Sequence, residues 1–218
     1  MSTSSTPTSP RTPPRTIVYV DGFNFYYGAV KGGPYKWLNL ERFFKLLRPH
    51  DNLCQIHYFT ALVNGPTLPN QQTYLRALET LPLVNIILGN YKAKRVACTL
   101  AACTYTGSRW FSTVEEKRTD VNIAVQMMED AYEDRCDQLI LVSGDSDLVP
   151  PVIRVRNLGK KVLVCIPAQN PTRGAAVELR SVADAAKVLP LVPLLSRAQF
   201  PATIPDGSGG TISKPPTW

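Results

Sequence analysis

Short apolar runs alternate with amphipathic stretches along most of this chain. The apolar runs have the length of strands and fall at residues 16–20, 53–62, 84–91, 138–142 and 160–166. Stretches with helical spacing lie at residues 38–47, 71–81, 120–134, in a segment that ends at Asn157, and at 175–189. Short strands that are apolar on both faces are typical of a parallel sheet buried between two layers of helices. The pattern therefore predicts a three-layer α/β fold with a mostly parallel central sheet.

The two ends of the chain differ from this core in composition. Residues 1–15 contain only Ser, Thr, Pro and Arg after Met1, and residues 201–218 are also poor in core-forming side chains. We therefore expect a disordered N-terminal tail at 1–15, one domain at 16–195 and a flexible C-terminal tail at 196–218. A chain of 218 residues with 44% hydrophobic content can bury one substantial core.

One long segment, residues 91–118, interrupts the alternation of strands and helices. It has no clean period of either kind, although “RVACTL” and “SRWFSTV” could pair as a small ribbon. Its cations outnumber Glu115 and Glu116, and they are Lys92, Lys94, Arg95, Arg109, Lys117 and Arg118. Segments this long inside a compact domain are usually functional or disordered.

Charge and composition narrow the class of partner. The net charge is +7 and the pI is about 9.2, which favours a polyanion such as nucleic acid or an acidic membrane surface. The N-terminus lacks an apolar signal segment and no run approaches the roughly eighteen apolar residues of a membrane span, so we expect a cytoplasmic protein without a membrane partner. Five cysteines, an odd number, argue against a disulfide framework.

Acidic side chains follow the predicted strands where a functional site would form. In an open parallel sheet, ligands bind at the carboxyl ends of the strands. Asp21 and Asn24 follow the first strand, Asp120 opens the helix after the basic segment, and Asp145 and Asp147 follow the strand at 138–142. We expect these side chains, which come from three places in the chain, to converge on one edge of the sheet.

Each aspartate also has an ordinary structural interpretation. Asp is a common helix cap and turn residue, so any one of these carboxylates could serve the backbone alone. Asp120, however, begins the same helical stripe as Val121, Ala124, Val125 and Met128, which we expect to face the core. Two carboxylates about 4 Å apart repel by roughly 4 kcal/mol at an effective dielectric near 20. A divalent cation would offset that repulsion, and hard oxygen ligands select Mg²⁺ or Mn²⁺ over Zn²⁺.

The residues also carry a resemblance to a known family. The segments “IVYVDGFNFYYG”, “EEKRTDVNIAVQMMEDA”, “LILVSGDSDLVPPVIRVRNLGKKVLV” and “AVELRSVADAAKVL” resemble the successive motifs of the NYN domain, the LabA-like branch of the PIN-like nuclease superfamily. The resemblance spans residues 16 to about 192. It implies a Rossmann-like PIN fold and a metal-dependent site that cleaves RNA. By motif, the site residues of the family fall on Asp21, Asp120, Asp145 and Asp147, with Asn24 as a polar partner.

These residues suit two-metal hydrolysis of a phosphodiester, which needs bridging carboxylates and no nucleophilic side chain. We assign Asp21 and Asp145 as direct ligands, Asp120 and Asp147 to the second position or to water-mediated contacts, and Asn24 to orienting a ligand or phosphate. RNA, single-stranded or structured, is the expected partner, and a second copy of the chain is a further candidate. The side chains expected to contact nucleic acid are Lys92, Lys94, Arg95, Lys117 and Arg118.

Other interpretations stay open at this point. The domain could bind RNA or act as an adaptor with little or no catalysis, or it could hydrolyse a small phosphate ester, although “DGF” lacks the D-x-D of a covalent phosphatase. The aromatic side chains of residues 23–27 could stack on bases or simply pack in the core. Cys98 and Cys103 have no second ligand pair in reach, which disfavours zinc.

Overall fold

The computed structural model describes residues 12–167, 175–189 and 191–218. The strands are β1 (Arg15–Asp21), β2 (Asn52–Thr60), β3 (Val84–Leu88), β4 (Asn90–Ala97), β5 (Trp110–Lys117), β6 (Gln138–Val142), β7 (Lys161–Pro167), β8 (Ala185–Leu189), β9 (Thr203–Pro205) and β10 (Thr211–Ser213). The helices are α1 (Gly22–Phe25), α2 (Leu40–Leu47), α3 (Leu68–Glu79), α4 (Thr119–Tyr132), α5 (Val149–Asn157), α6 (Ala175–Val182) and α7 (Val192–Arg197). A π-helical turn, Tyr26–Val30, extends α1, and a 3₁₀ turn, Ser146–Leu148, precedes α5.

Six strands form one central sheet in the order β3-β2-β1-β6-β7-β8. Every neighbouring pair in this sheet is parallel. The order runs outward in one direction from β1 and in the other from β6, so the topological switch point lies between these two strands. The carboxyl ends of β1 and β6 therefore border the crevice where α/β folds bind their ligands.

Two apolar cores, one on each face of the sheet, confirm the three-layer α/β architecture. Side chains alternate along a strand, so Val18 and Val20 of β1 join the core beneath α2, α3 and α7, whereas Ile17 and Tyr19 join the core beneath α4, α5 and α6. The central strands are buried on both sides, which explains why they are nearly continuous apolar runs. In the described part of the chain, no helix is both long enough and apolar enough to cross a membrane.

The segment at 91–118 contains a two-stranded antiparallel ribbon. β4 pairs with β5 from Asn90 opposite Lys117 to Ala97 opposite Trp110. The ribbon that we predicted is therefore present, and it is longer than the two motifs that suggested it. The strand predicted at 84–91 is divided at Gly89, where the chain leaves the sheet as β3 and enters the ribbon as β4. A Cβ atom at Gly89 would lie 2.7 Å from Thr119 Oγ1, so glycine lets the base of the ribbon approach the start of α4.

The helix predicted at 175–189 is wrong in its second half. α6 ends at Val182, and residues 185–189 instead form β8, which pairs with β7 at the edge of the sheet. The sequence “ADAAKVL” is rich in alanine, which favours a helix locally. Pairing with β7 and burial of Leu189 override that local preference.

The flexible tail expected at 196–218 is also contradicted. Phe200, Ile204 and Ile212 are buried, and β9 pairs with β10 in a short hairpin. The Trp37 indole nitrogen donates a hydrogen bond to the Pro201 carbonyl at 2.7 Å, and Trp218 lies edge-on to the Trp37 ring. A few well-placed apolar anchors thus attach a segment whose average composition resembles a linker. Residues 1–11 of the expected N-terminal tail lie outside the described residues.

Candidate active site

The candidate site lies at the switch point between β1 and β6. A cavity of about 110 Å³ opens there, and it is lined by residues of β1, α1, the end of β5, the start of α4 and the turn after β6. Four of the predicted site residues, Asp21, Asn24, Asp120 and Asp145, line this cavity, together with Lys117 and Arg118. The structure therefore brings together side chains that are about a hundred residues apart in sequence.

Asp21 is the last residue of β1 and is almost fully buried, with 2% of its surface exposed. One carboxylate oxygen accepts the Asn24 backbone N–H at 3.0 Å, which caps α1. The other accepts the Asn24 side-chain amide at 2.6 Å and the Ser143 hydroxyl at 2.9 Å. Burial raises the pKa of Asp21, and the charge of Asp145 adds to the rise, whereas the hydrogen bonds oppose it. Asn24 and Ser143 thus hold the Asp21 carboxylate in one orientation, although its burial is energetically unfavourable.

The turn after β6 positions the second carboxylate. The Asp145 backbone N–H donates to Ser143 Oγ at 3.1 Å, and Asp145 Oδ1 in turn accepts the Asp147 backbone N–H at 3.0 Å. The Gly144 N–H donates to Asn24 Oδ1 at 3.4 Å, which ties this turn to α1. Asp147 does not line the cavity and is exposed. Its charge still reaches the site, since it contributes to the raised pKa of Asp120.

Asp120 lies in the first turn of α4 and is half-buried. Burial raises the pKa of Asp120 to about 6, and the charges of Asp145, Asp21 and Asp147 add to that rise. We predicted that Asp120 faces inward because it begins an apolar stripe that includes Val121 and Val125. The prediction that this stripe faces the core is wrong, because Val121 and Val125 are 65% and 59% exposed. The buried face of α4 is instead formed by Ile123, Met127, Asp130 and Ala131. Asp120 precedes Ile123 by three residues and Met127 by seven, so it begins this buried face of α4.

Glu116 is a site residue that the sequence analysis did not identify. It lies near the end of β5, lines the same cavity as Asp21, and accepts a short hydrogen bond from the Thr119 hydroxyl. Burial raises the pKa of Glu116, and the charges of Asp21 and Asp120 add to that rise. The alternation of side chains along a strand could have identified Glu116. Glu115 forms ion pairs with Lys94 and Lys117 on one face of the ribbon, so Glu116 lies on the opposite face.

The predicted nucleic-acid cations fall into two groups. Lys117 and Arg118 line the acidic cavity, and Arg118 adopts a left-handed backbone with φ of 81° immediately before α4. Lys92, Lys94 and Arg95 lie along β4, away from the cavity. Glu115 partly neutralises Lys94 at 3.2 Å, and the Arg95 guanidinium lies 5.6 Å from the centre of the Trp110 ring. Strand alternation places Lys92 and Lys94 on the face of the ribbon that carries Glu115, and Arg95 on the face that carries Glu116.

The acidic groups repel one another but do not form a closed metal cage. Within the described residues, no three His, Cys, Asp or Glu side chains are grouped closely enough to hold a metal ion between them. Carboxylate oxygens and the Asn24 amide are nevertheless the hard donors that suit Mg²⁺ or Mn²⁺. Mg²⁺ commonly takes only one or two protein carboxylates and keeps several waters, so this donor set fits it without a closed cage. Cys98 and Cys103 are free thiols.

A second, larger cavity of about 400 Å³ lies beside the acidic site. Phe23 lines both cavities, so the two are neighbours. Of the aromatic residues predicted either to stack on bases or to pack, Phe25 is buried against Phe43, whereas Tyr27 is 56% exposed. The aromatic cluster at residues 23–27 therefore serves both the core and this cavity. Sequence spacing gave no sign of it, because its walls come from widely separated segments.

Comparison with known proteins agrees with the fold. A solved structure of a protein of unknown function from Vibrio parahaemolyticus superposes with a TM-score of 0.52 at 19% identity, and covers 84% of this chain and 98% of that one. The chain is also 30% identical to 6-hydroxy-3-succinoylpyridine 3-monooxygenase HspA of Pseudomonas putida, over 94% of this chain and 76% of that protein. The family model for the NYN domain matches residues 15–190. The chain therefore belongs to the NYN domain family, within the PIN-like nuclease superfamily.

Proposed function

We propose that this protein is a divalent-metal-dependent endoribonuclease that hydrolyses RNA phosphodiester bonds in the cytoplasm. One observation carries the proposal: Asp21, Asp120 and Asp145, from three separate elements, line one small cavity at the switch point of the sheet. Such a concentration of raised carboxylate pKa values is costly for folding and marks a functional site. Membership of the NYN family supports nuclease chemistry on RNA.

Each residue has a proposed role. Asp21 and Asp145 bind Mg²⁺ or Mn²⁺ directly, while Asp120 and Asp147 bind it through water or hold a second ion. Asn24 orients Asp21 and a phosphate oxygen, and Ser143 fixes the second Asp21 oxygen by its 2.9 Å hydrogen bond. When bound, the metal supplies an activated water and stabilises the leaving oxygen. Glu116 lines the same cavity as Asp21 and Asp120, and burial raises its pKa, so we propose that it assists a proton transfer at the site.

The surrounding cations suit an RNA backbone. Lys117 and Arg118 lie at the cavity itself, where they would contact the phosphate next to the cleaved bond. We propose further phosphate contacts from Lys92, Lys94 and Arg95, which lie along β4 on the two faces of the ribbon. Phosphate contacts of this kind give affinity and position with little sequence preference.

The experiment is cleavage of mixed RNA and DNA by the purified protein with Mn²⁺, against an EDTA control. Wild type should cleave RNA only with metal, and Asp145→Asn should lose at least about a hundredfold in rate, as removal of a key electrostatic group does in other enzymes. Glu79→Gln, a charge change on an exposed residue of α3, is the matched control and should retain full activity. Metal-dependent RNA binding without cleavage would favour the alternative of an RNA-binding adaptor module. Equal activity in Asp145→Asn would exclude this active site.

A second candidate function is oxidation of a small aromatic compound. It is favoured by the 400 Å³ aromatic cavity and by similarity to a protein named as a monooxygenase for a hydroxylated pyridine. Such a reaction would consume O₂ and a two-electron reductant together with the aromatic substrate. Oxygen uptake that requires both a hydroxypyridine carboxylate and a nicotinamide reductant would support it. Its absence, alongside metal-dependent RNA cleavage, would leave the nuclease proposal alone.

A further inference from the structure

The larger cavity has the shape and walls of a binding site for a planar ring. Its volume is about 400 Å³, within the roughly 300–1,000 Å³ that small-molecule sites occupy. Phe23, Tyr26, Tyr58, Tyr74 and Trp218 contribute aromatic surface to its walls. Aromatic walls favour a flat ligand, because offset stacking and edge contacts are most favourable between rings.

Several polar groups of the wall already form hydrogen bonds within the protein. The Gln71 amide nitrogen donates to the Ala61 carbonyl at 2.9 Å, and its oxygen accepts the Val63 N–H at 2.8 Å. The Tyr74 hydroxyl donates to the Leu38 carbonyl at 2.9 Å. The Tyr58 hydroxyl lines the same cavity and forms no side-chain hydrogen bond within the described residues. This hydroxyl is accessible from the cavity, so it can donate a hydrogen bond to a ligand or accept one from it.

The charge of the cavity is one-sided. Lys31 and Lys36 both line it, and no acidic residue does. Neither lysine forms an ion pair within the described ranges, and Lys31 Nζ lies 4.3 Å from the centre of the Tyr27 ring at the rim. An anionic group on the ligand would therefore meet two cations and no opposing carboxylate. The acidic cavity on the other side of Phe23 has the opposite preference.

We propose that this cavity binds a small planar aromatic carboxylate. The ring lies among the aromatic walls, the carboxylate pairs with Lys31 and Lys36, and the Tyr58 hydroxyl bonds to a polar substituent of the ring. The proposal goes beyond RNA cleavage and gives the second candidate function a class of substrate. It concerns binding alone, so it is tested separately from either activity.

The test is calorimetric titration of the full chain with four probes. These are 6-hydroxynicotinate, its neutral amide, the non-planar cyclohexanecarboxylate, and uridine 5′-monophosphate. The hydroxynicotinate should bind at least about tenfold more tightly than either the amide or the cyclohexane acid, because of these three probes it alone combines a flat ring with a negative charge. Tighter binding of the nucleotide than of the aromatic acid would overturn the proposal in favour of a base-binding pocket for RNA.

Two variants locate the site. Val63→Trp fills the cavity from its half-buried rim and should abolish binding of the acid. Lys31→Gln combined with Lys36→Gln, at exposed or half-buried positions that tolerate the change, should weaken the acid about tenfold and leave the amide unaffected. Lys187→Gln, an exposed cation on β8, is the charge control and should have no effect. No detectable binding of the acid to wild type, or undiminished binding in the lysine double variant, would refute the proposal whether or not Val63→Trp folds.

Discussion

Two buried aspartates in this protein have pKa values shifted in opposite directions, and the difference separates a structural carboxylate from a site carboxylate. Burial acts to raise the pKa of Asp130, but hydrogen bonds from His57, Tyr19 and Arg135 lower it to about 2. Asp21 has only neutral donors and a negative neighbour, Asp145, so its pKa is raised. Asp130 is satisfied by the protein alone, whereas Asp21 gains from an added cation.

Asp120 allows a prediction of pH dependence. Its pKa in the folded protein is about 6, above the ordinary 3.8, so ionisation of Asp120 opposes folding as pH rises from about 4 through 6. A cation binds only the ionised form, so the rise in melting temperature caused by Mn²⁺ should be small at pH 5 and reach its full value above pH 7. Thermal melts from pH 5 to 8, with and without Mn²⁺, measure this. In Asp120→Asn the step near pH 6 should flatten.

The control for this experiment is Asp134→Asn, an exposed carboxylate whose pKa is lowered by ion pairs with Lys160 and Arg15. This variant should keep the Mn²⁺ step near pH 6, even if its overall stability falls slightly. A stabilisation by Mn²⁺ that is equally large at pH 5 and pH 8 in wild type would contradict the assignment of Asp120 to the site.

At the residue scale, the sequence predicted the positions of the aspartates correctly, but it did not predict all of the packing that places them at the site. Asp21 and Asp145 follow buried strands, and that position alone places them at the carboxyl edge of the sheet. The stripe used to orient Asp120 includes Val121 and Val125, which are exposed. Asp120 faces the site because it also begins the buried stripe of Ile123 and Met127. Glu116 was missed because its role depends on the register of β5 against β4.

At the scale of elements, burial on both faces made the central strands easy to recognise. β1, β6 and β7 are apolar except toward their ends, so their sequences differ clearly from those of amphipathic helices. β8 is a short edge strand with exposed positions, and its alanines carry no period that identifies a strand. The ribbon was visible as two candidate strands, but its closeness to α4 depends on Gly89, where any side chain would collide with Thr119.

The ribbon leads to a prediction about RNA affinity. Replacing Lys92, Lys94 and Arg95 with Gln should weaken RNA binding almost equally across sequences and flatten its salt dependence, because phosphate contacts act through counterion release. Lys94 already pairs with Glu115, so it should contribute least of the three. Filter binding or fluorescence anisotropy at several salt concentrations measures both effects.

A triple variant with the same change in charge serves as the control. Arg180, Lys187 and Arg197 are exposed and lie on α6, β8 and α7 rather than on the ribbon. Their replacement with Gln should leave the salt slope close to that of wild type. If the two triple variants behave alike, RNA responds only to net charge and the ribbon is an ordinary solvated surface.

At the scale of the whole molecule, the C-terminal segment is part of the core. Ile204→Ala in β9 should lower the free energy of unfolding by about 2 kcal/mol, since Ile204 is 7% exposed and large-to-small changes in a core cost about 2–5 kcal/mol. Chemical denaturation measures the loss. Val192→Ala, at a position that is 48% exposed, should change stability by less than about 0.5 kcal/mol. Composition alone led us to expect a flexible tail. If the tail were flexible, the two variants would have the same free energy of unfolding.

Repulsion among the carboxylates of the acidic site should lower the stability of the whole molecule when no metal is bound. Burial is the main reason that the pKa of Asp120 is raised, and repulsion by Asp145 and Asp21 adds to it. Neutralising Asp21 and Asp145 together removes that repulsion. An amide has a single acceptor oxygen, so the change at Asp21 removes the acceptor either of the Asn24 backbone N–H or of both the Asn24 amide and the Ser143 hydroxyl. We therefore expect Asp21→Asn with Asp145→Asn to melt within a few degrees of wild type without metal. With millimolar Mn²⁺, only wild type should gain stability by mass action.

The same double variant should separate binding from catalysis. It removes negative charge that faces the phosphates, so RNA affinity without metal should persist or rise, while cleavage with Mn²⁺ collapses because transition-state stabilisation is lost. Cleavage, affinity and melting temperature are measured on paired preparations of variant and wild type. Lys117 and Arg118 are unchanged in the variant, so their contacts with RNA remain and a fall in affinity would point to misfolding. Equal nuclease activity in both preparations would instead reveal a contaminating enzyme, and the RNA-binding module would then become the better description of this domain.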